Sequence, residues 1–410
     1  MKVLLVGSGG REHALGWSLA RSPRVKELIS LPGNPGLAQL GAVVEGISAD
    51  DVGAIAAMAR VQGVDLVIVG PEGPLAAGVA DAITALGIPF FGPTRAAARL
   101  ESSKTYAKEV MTRAGVATAA SASFAEPEPA KEYLAGREGP FVVKADGLAA
   151  GKGVLVTDSR EEAKRWVDLC LGGGFGSAGA SVLIEDFLDG PEVSVFAVCT
   201  EKGAAMLEPA RDYKRLRAGD EGPNTGGMGS YSPVSDLPDG LMSDAMRTVI
   251  EPTLAQMSEQ GNPFRGFLYA GLVLTVDGPK VLEFNVRLGD PETQAVLPRM
   301  TTDLIDVLEG TAPEWSETAA VNVVLAAEGY PESPLTGAVI DGIERVPDEV
   351  LIFHAGTRRV GKKLLVNGGR VLNLVGTGST LGEARDRAYR AAASVRWQGM
   401  QFRTDIAAQS

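Results

Sequence analysis

The chain runs to 410 residues with a formal net charge of −12, long enough for roughly two to four domains that each bury a core. The acidic balance argues against nucleic acid as a partner, which needs a basic footprint, although local Lys and Arg can still build a positive cleft for a phosphorylated small molecule. Two cysteines and two histidines leave no disulfide framework and argue against structural zinc, and no run nears ~18 apolar residues, so the chain reads as a soluble cytoplasmic protein with no membrane segment.

Residues 1–92 alternate strand and helix. Short apolar runs at 3–6, 27–31, 65–69 and 88–91 read as buried strands, and helical spacing near 11–21, 51–62 and 75–86 lies between them. That rhythm implies a parallel sheet with right-handed crossovers. Gly7-Ser8-Gly9-Gly10 follows the first strand, where a dinucleotide fingerprint would stand. The sixth position is Glu12, however, and the second strand ends in Ser30-Leu31-Pro32-Gly33 without a ribose-binding acid, which argues against NAD. A phosphate at that helix N-terminus still fits the dipole and its N–H groups. His13 reads as a helix residue packed on the sheet.

Residues 94–112 read as one long helix, and Glu126-Pro127-Glu128-Pro129 as a surface connection. From about 120 to 187 the pattern is a compact α+β module with two glycine-dense loops, 147–153 and 172–179, suited to a mobile lid. Two β-rich runs flank the first loop, with Lys144 at the end of the leading strand and Gly147, Gly151 and Gly153 in the turn. Such a hairpin lets backbone N–H groups close over phosphates. It is not a Walker A loop, because the glycine spacing is one residue short and Gly153 stands where Ser or Thr is required. A buried strand then runs into Glu185, and Glu192 follows seven residues later.

From 188 to about 300 longer strands form the other wall of a cleft. A turn at Asp277-Gly278-Pro279 leads into a strand on which Glu283, Asn285 and Arg287 share one face and Phe284 and Val286 the other. A carboxylate and a carboxamide are hard oxygen ligands that Mg²⁺ accepts when phosphates complete its shell, and arginine is the planar fork for a phosphoryl group. Residues 310–318 read as a linker. The last segment reads as a small α+β unit, with a hairpin turn at Asn367-Gly368-Gly369 and a capping box at Thr380-Leu381-Gly382-Glu383.

The order of these motifs resembles the ATP-grasp superfamily and, more narrowly, the phosphoribosylamine–glycine ligase family. The strings that carry it are 7–14, Ser103-Lys104, the 142–154 loop, 222–229, 268–272, 283–294 and 353–357, so the resemblance spans essentially the whole chain. It implies an α/β protein with a parallel-sheet N-terminal domain (1–100) on the phosphoribosylamine side. ATP-grasp α+β parts at 101–187, with the lid, and 188–310, with metal and substrate, form a nucleotide cleft, and a small α+β C-terminal domain spans 320–410. By resemblance, Lys104 and Lys144 contact the nucleotide phosphates, Glu185 with the backbone at Phe187 and Leu188 holds adenine, and Glu192 takes the ribose hydroxyls. Glu283 and Asn285 bind Mg²⁺ or Mn²⁺, and Arg287 steadies the transferring phosphoryl group.

Asp212 and Lys214 are expected at glycine or the γ-phosphate. The family usually has His between them and this chain has Tyr213, a departure that puts an acid–base role there in doubt and leaves hydrogen bonding. Asn224, Thr225 and Gly226 lie in a loop offering backbone donors to an anion, and Asp290 reads either as a substrate contact or as a turn acid beside Pro291. Gly9, Gly10, Arg11, Glu12, Asn34 and Glu72 lie at the carboxyl edge of the first sheet, where such folds bind ligands. The activity implied is joining of glycine to 5-phosphoribosylamine through glycyl phosphate, with ATP cleaved to ADP and phosphate. Another ATP-grasp acid–amine ligase is the alternative.

Overall fold

The structure, a computed structural model, describes residues 1–149 and 152–408. Strands β1 (Lys2–Gly7), β2 (Glu27–Pro32), β3 (Ala42–Val43), β4 (Leu66–Val69) and β5 (Phe90–Phe91) make an all-parallel sheet in the order β3-β2-β1-β4-β5. Val3, Leu4, Leu5 and Val6 are all buried, as consecutive apolar residues must be in a sheet covered on both faces. Helices α1 (Gly10–Ala20), α2 (Val52–Gln62), α3 (Glu72–Ala77) and α4 (Val79–Thr84) accompany it. The single helix expected near 75–86 is two, split at Gly78 in the left-handed region, and β3 is too short to register as a pattern.

The long helix expected over 94–112 is also two, α5 (Arg95–Ser102) and α6 (Lys104–Ala114). Ser103 is extended between them, and its Oγ accepts from the Tyr106 N–H and donates to Asp146. Serine caps the second helix instead of continuing the first, which turns Lys104 toward the next module.

That module contains β6 (Ser121–Phe124), α7 (Pro127–Ala135), β7 (Phe141–Ala145), β8 (Val154–Thr157), α8 (Arg160–Leu169) and β9 (Val182–Asp186), with its antiparallel sheet ordered β6-β9-β7-β8. It has a small core of its own around Val143, Ala163, Val167 and Ile184. The expected surface connection at 126–129 is instead the start of α7, because proline at a first helical position gives up no bonded N–H.

The rest of the chain carries β10 (Glu192–Thr200), β11 (Gly203–Met206), β12 (Arg211–Asp212), β13 (Arg215–Arg217), β14 (Glu221–Asn224), β15 (Gly229–Ser232), β16 (Gly266–Thr275) and β17 (Gly278–Asn285). These are followed by β18 (Ala319–Ala326), β19 (Val350–His354), β20 (Thr357–Val360), β21 (Lys363–Val366) and β22 (Arg370–Gly378). The long strands pair as β11-β10-β16-β17. A second sheet, β12-β15-β18-β22-β19, joins residues 211–232 to the C-terminal strands, so the C-terminal unit is completed by chain from the cleft wall.

Two local expectations in this unit shift. The turn at 367–369 does not close a hairpin, because β22 runs between β18 and β19. The hairpin is β20–β21, around Gly361-Lys362. Thr380 does cap the last helix, Leu381–Ser394, by accepting from the Glu383 N–H at 3.1 Å. The return contact of Glu383, however, goes to Ser379 and not to Thr380.

His13 packs not on its own sheet but on the C-terminal unit. Its Nδ1 accepts from the His354 N–H at 2.8 Å, and its ring meets Phe353 edge-on. Burial, with the neighbouring His354, lowers the His13 pKa to about 3, and burial, with Arg359, lowers that of His354 to about 4. Both lie below the unfolded value near 6.5, so their neutral forms stabilise the fold above that pH. This contribution is lost as pH falls from about 6.5 toward 4, at about 2 kcal/mol per histidine by pH 5. The melting temperature should therefore drop steeply over that range, and His13→Asn should flatten the drop. An unchanged slope in the variant would contradict the assignment.

Candidate active site

A cleft of about 1030 Å³ lies between the β6–β9 module and the long-strand sheet. Its first wall is the hairpin β7–β8. Lys144, the penultimate residue of β7, is ion-paired with Glu185 on the neighbouring β9, both nearly fully buried. Lys108, one turn after Lys104 on α6, places its Nζ 2.9 Å from the other Glu185 oxygen and donates to Thr118 and the Ala119 carbonyl. Burial alone would raise the Glu185 pKa, but the two lysines hold it below the usual range. The Glu185 carboxylate is thus paired with two lysines, yet it lines the cleft and its Oε2 accepts no hydrogen bond from the described residues, so it keeps acceptor capacity. The exposed Phe187 and the half-buried Leu188 are left to face the cleft at that end.

Lys104 Nζ donates to the carbonyls of Ala145 and Gly147 at 2.9 and 3.0 Å, and Asp146 accepts from the Thr105 N–H at 2.6 Å. The start of α6 and the glycine hairpin are therefore one unit. Burial depresses the Lys104 pKa, opposed first by the negative charge of Glu283 across the cleft. Within the hairpin the Gly147 N–H donates to Ala178 and the Lys152 N–H to Ala149, so these donors are not free for phosphate. A side chain at Gly147 would meet Ala178 Cα at 2.7 Å, which is why the two glycine-dense segments pack so closely. Gly153 lines the cleft, and Gly151 lies outside the described residues.

The facing wall is β17. Its ladder with β16 shifts register at Leu282, and this bulge sets the phase that follows. Val281, Phe284 and Val286 go to the core, while Leu282, Glu283 and Asn285 line the cleft. Among the described residues Glu283 has no ion-pair partner, and Asn285 Oδ1 accepts only a long contact, 3.3 Å, from Arg287. No cluster of three or more His, Cys, Asp or Glu suited to a metal occurs among the described residues. Two protein oxygens on one strand face nevertheless fit Mg²⁺, which takes one or two carboxylate-type ligands and completes its shell with phosphate and water.

Arg287 is not free to grip a phosphoryl group. Its Nη2 lies 2.8 Å from Glu101 and its Nε 3.2 Å from Glu72. Glu101, on α5, also accepts from the Val286 N–H at 2.7 Å, and burial, only partly offset by Arg287, raises its pKa to about 7. At Glu72 the balance reverses: burial pushes the carboxyl up, but Arg287 and Arg11 hold it near 2. Arg287 thus ties the metal-facing strand to the first domain.

At the far end Lys214 Nζ sits 2.5 Å from Glu192 and 3.0 Å from Asp212. Beneath them Glu292 accepts from Ser194 and lies near Tyr269, and burial with the like charge of Asp212 raises the Glu292 pKa to about 7. Asn224, Thr225 and Gly226 line the cleft, but Asn224 belongs to strand β14 and the loop's amides are spent internally. Thr225 N–H donates to the Lys214 carbonyl, Gly226 N–H to Tyr330, Gly227 N–H to Thr225 and Met228 N–H to Tyr213. The anion cradle expected there is occupied by the protein's own acceptors. Asp290 lines the cleft as well, held by Arg370 and Gln294.

The first-domain candidates divide. Arg11 and Glu72 line the cleft, while Gly9, Gly10, Glu12 and Asn34 do not. Glu12 accepts from the Gly9 N–H at 2.6 Å, so the N-terminus of α1 expected to hold phosphate is filled by its own carboxylate. All hydrogen-bonding capacity of Asn34 goes to Ser8, His354, Gly36 and Leu37. A side chain at Gly10 would collide with Gln294 at 2.6 Å, so this glycine permits the domain junction. Sequence reading passed over Lys108, Glu101, Glu292 and Arg370. Of these only Lys108 had a signal, the four-residue spacing from Lys104.

A glycine hairpin carrying a buried lysine, closed over an antiparallel sheet whose facing strand bears a Glu/Asn pair, defines an ATP-grasp enzyme. Residues 1–101, 102–293 and 320–409 match the N domain, the ATP-grasp (A) domain and the C domain of phosphoribosylglycinamide synthetase. The chain is 48% identical to the phosphoribosylamine–glycine ligase of Caulobacter vibrioides over 99% of its own length and 97% of that protein. The crystal structure of phosphoribosylamine–glycine ligase from Thermotoga maritima superposes with a TM-score of 0.87 at 37% identity, covering 99% of this chain and 100% of that one. A biotin carboxylase–β,γ-ATP complex from Campylobacter jejuni shares the fold at a TM-score of 0.75 and 16% identity, over 98% of this chain and 92% of that one. The chain belongs to the phosphoribosylglycinamide synthetase family. Among the described residues no helix is long and apolar enough to cross a membrane.

Proposed function

We propose that the cleft joins glycine to 5-phosphoribosylamine, giving glycinamide ribonucleotide, ADP and phosphate, as a cytoplasmic enzyme of purine biosynthesis. The observation that carries the site assignment is the opposition of Lys104 and Lys144 on one wall to Glu283 and Asn285 on the other. ATP lies between the walls, its adenine toward Phe187 and Leu188 and its ribose toward Glu192. Glu283 and Asn285 would hold a divalent cation, Mg²⁺ or Mn²⁺, which neutralises charge on the phosphoryl group being transferred.

In the first step a glycine carboxylate oxygen attacks the γ-phosphorus and the bond to the ADP oxygen breaks, leaving glycyl phosphate. In the second the amine of phosphoribosylamine attacks the acyl carbon, the C–O bond to phosphate breaks, and the nitrogen loses a proton. Two anions meet in the first step, so the work of this chain is positioning and charge neutralisation. Lys104 and Lys144 provide the positive wall, with Lys214 and Asp212 at the glycine end. Arg287 orients Asn285 and couples it to Glu101 and Glu72, in place of contacting the phosphoryl group itself. Glu72 and Arg11 border the side from which the amine arrives. No nucleophilic Ser or Cys is required, and both cysteines are buried thiols with pKa values raised by burial to about 11 and 12.

ADP and phosphate should form only when glycine and phosphoribosylamine are both supplied, measured as coupled ADP release with each substrate omitted in turn. Appearance of AMP and pyrophosphate would overturn the acyl-phosphate route. Turnover with a different acid or amine in preference to these would overturn the substrate assignment.

A further inference from the structure

Among the described residues only Asp220 and Ala407 are non-glycine residues with a positive φ, 55° in each. Such conformations persist where the surroundings over-determine them. The two residues lie at the two sides of one contact, between the β13–β14 hairpin and the C-terminal tail. Arg403, 1% exposed, is its centre. Its Nε and Nη2 donate to the two oxygens of Asp405 at 2.8 and 2.6 Å, and its Nη1 donates to Asp220 at 2.8 Å and to the Arg215 carbonyl at 3.1 Å. Asp405 accepts in turn from the Gly219 N–H at 2.9 Å. The Arg403 guanidinium lies 4.7 Å over the Tyr213 ring, and the Tyr213 hydroxyl accepts from the Ala407 N–H at 2.8 Å.

Tyr213 stands between Asp212 and Lys214; all three border the cleft, and the two charged residues pair with each other at 3.0 Å. The main chain at Tyr213 and Lys214 is bonded on one side only, to residues 225–229, and the following strand β13 has three residues and pairs only with β14. The tail adds the anchor for the Tyr213 side chain, which the backbone bonds leave unfixed. A buried arginine is seldom the most stabilising residue for its space, since an apolar side chain of similar volume often serves as well or better. Its fork does, however, fix several groups in one geometry. We propose that Arg403 is a positioning residue for the glycine end of the cleft, acting through Tyr213 and the hairpin on Asp212 and Lys214. This rests on the reading of that end as the glycine site. It also gives Tyr213, where histidine is usual in the family, a role: its hydroxyl is the link to Ala407.

The test is steady-state kinetics of the full chain carrying Tyr213→Phe, Arg403→Lys or Arg403→Met, with KM for glycine and for ATP measured separately and melting temperature alongside. Tyr213→Phe deletes one hydrogen bond without changing the ring, so it also serves if Arg403→Met fails to fold. The expected result is a rise of about tenfold in KM for glycine, the loss of about one hydrogen bond's worth of positioning. The KM for ATP should change less than that for glycine, because the phosphate lysines lie on the other wall and only the ribose contact Glu192 pairs with Lys214, and Arg403→Lys should fall between wild type and Arg403→Met. A lower melting temperature with unchanged KM for glycine, or a fall in kcat with both KM values unchanged, would reduce the tail to a structural staple and overturn the proposal. Absence of glycine-dependent ADP release in the unmodified chain would overturn the glycine reading beneath it.

Discussion

Glu283→Gln should yield a folded protein whose turnover falls by orders of magnitude. The residue lies on the cleft face of β17, half-buried, with no ion pair among the described residues and with its charge felt by Lys104 across the cleft. Glutamine keeps size and hydrogen-bonding reach but removes the negative charge that would hold a divalent cation. Loss of such charge stabilisation at a phosphoryl-transfer centre costs several kcal/mol of the transition state, roughly 10²- to 10⁴-fold in rate. No hydrogen bond or ion pair among the described residues depends on that charge, only its field at Lys104, so the melting temperature without ligands should stay close to wild type. Raising Mg²⁺ or Mn²⁺ should recover part of the rate. Near-normal turnover in the folded variant would show that the cation is held elsewhere.

The cleft was legible in the sequence where local pattern and chemistry coincide. The alternation at 283–287 survives in the structure because a bulge at Leu282 absorbs the phase error before it, and Lys144 sits near the end of a strand as a hairpin demands. What could not be read is what each polar group is already bonded to. Glu185 reads as a lone acid at a strand end, but α6 brings Lys108 to it from far upstream in the chain, beside Lys144. Glu12 and Asn34 lie at the sheet edge where ligands bind, yet one caps its own helix and the other clamps the C-terminal unit. The amides after Asn224 looked free because Tyr330, which takes one of them, lies a hundred residues on. Helix breaks were missed for a related reason: Ser103 has no local signal strong enough to interrupt a helix, and its partner is Asp146 on the glycine hairpin.

These hidden partners share a consequence. The buried charges of this site are arranged as bridges between units, so removing one tests architecture and catalysis together, and the two can be separated only by a second substitution.

Arg287→Leu should be the most damaging single change of this kind. It leaves Glu101, with a side chain 6% exposed, and Glu72 without their shared cation, and it frees the Asn285 carboxamide. Breaking a buried pair from one side costs about 3–5 kcal/mol, so the melting temperature should fall by several degrees and activity by orders of magnitude. The pH dependence identifies the cause. The Glu101 pKa is already raised to about 7 with arginine present, and it rises further without it. A carboxyl raised above its unfolded value favours the folded state when protonated, and that stability is lost as pH rises through the folded value. The deficit of Arg287→Leu against wild type should therefore grow as pH rises above about 7. Replacing Glu101 as well, in Arg287→Leu/Glu101→Leu, removes the stranded carboxylate. It should restore most of the melting temperature, and abolish the pH-dependent part of the deficit, while leaving activity low. If the double variant melts no higher than Arg287→Leu alone, Glu101 is not the partner that makes Arg287 indispensable to the fold. If it regains turnover, Arg287 has no part in orienting Asn285.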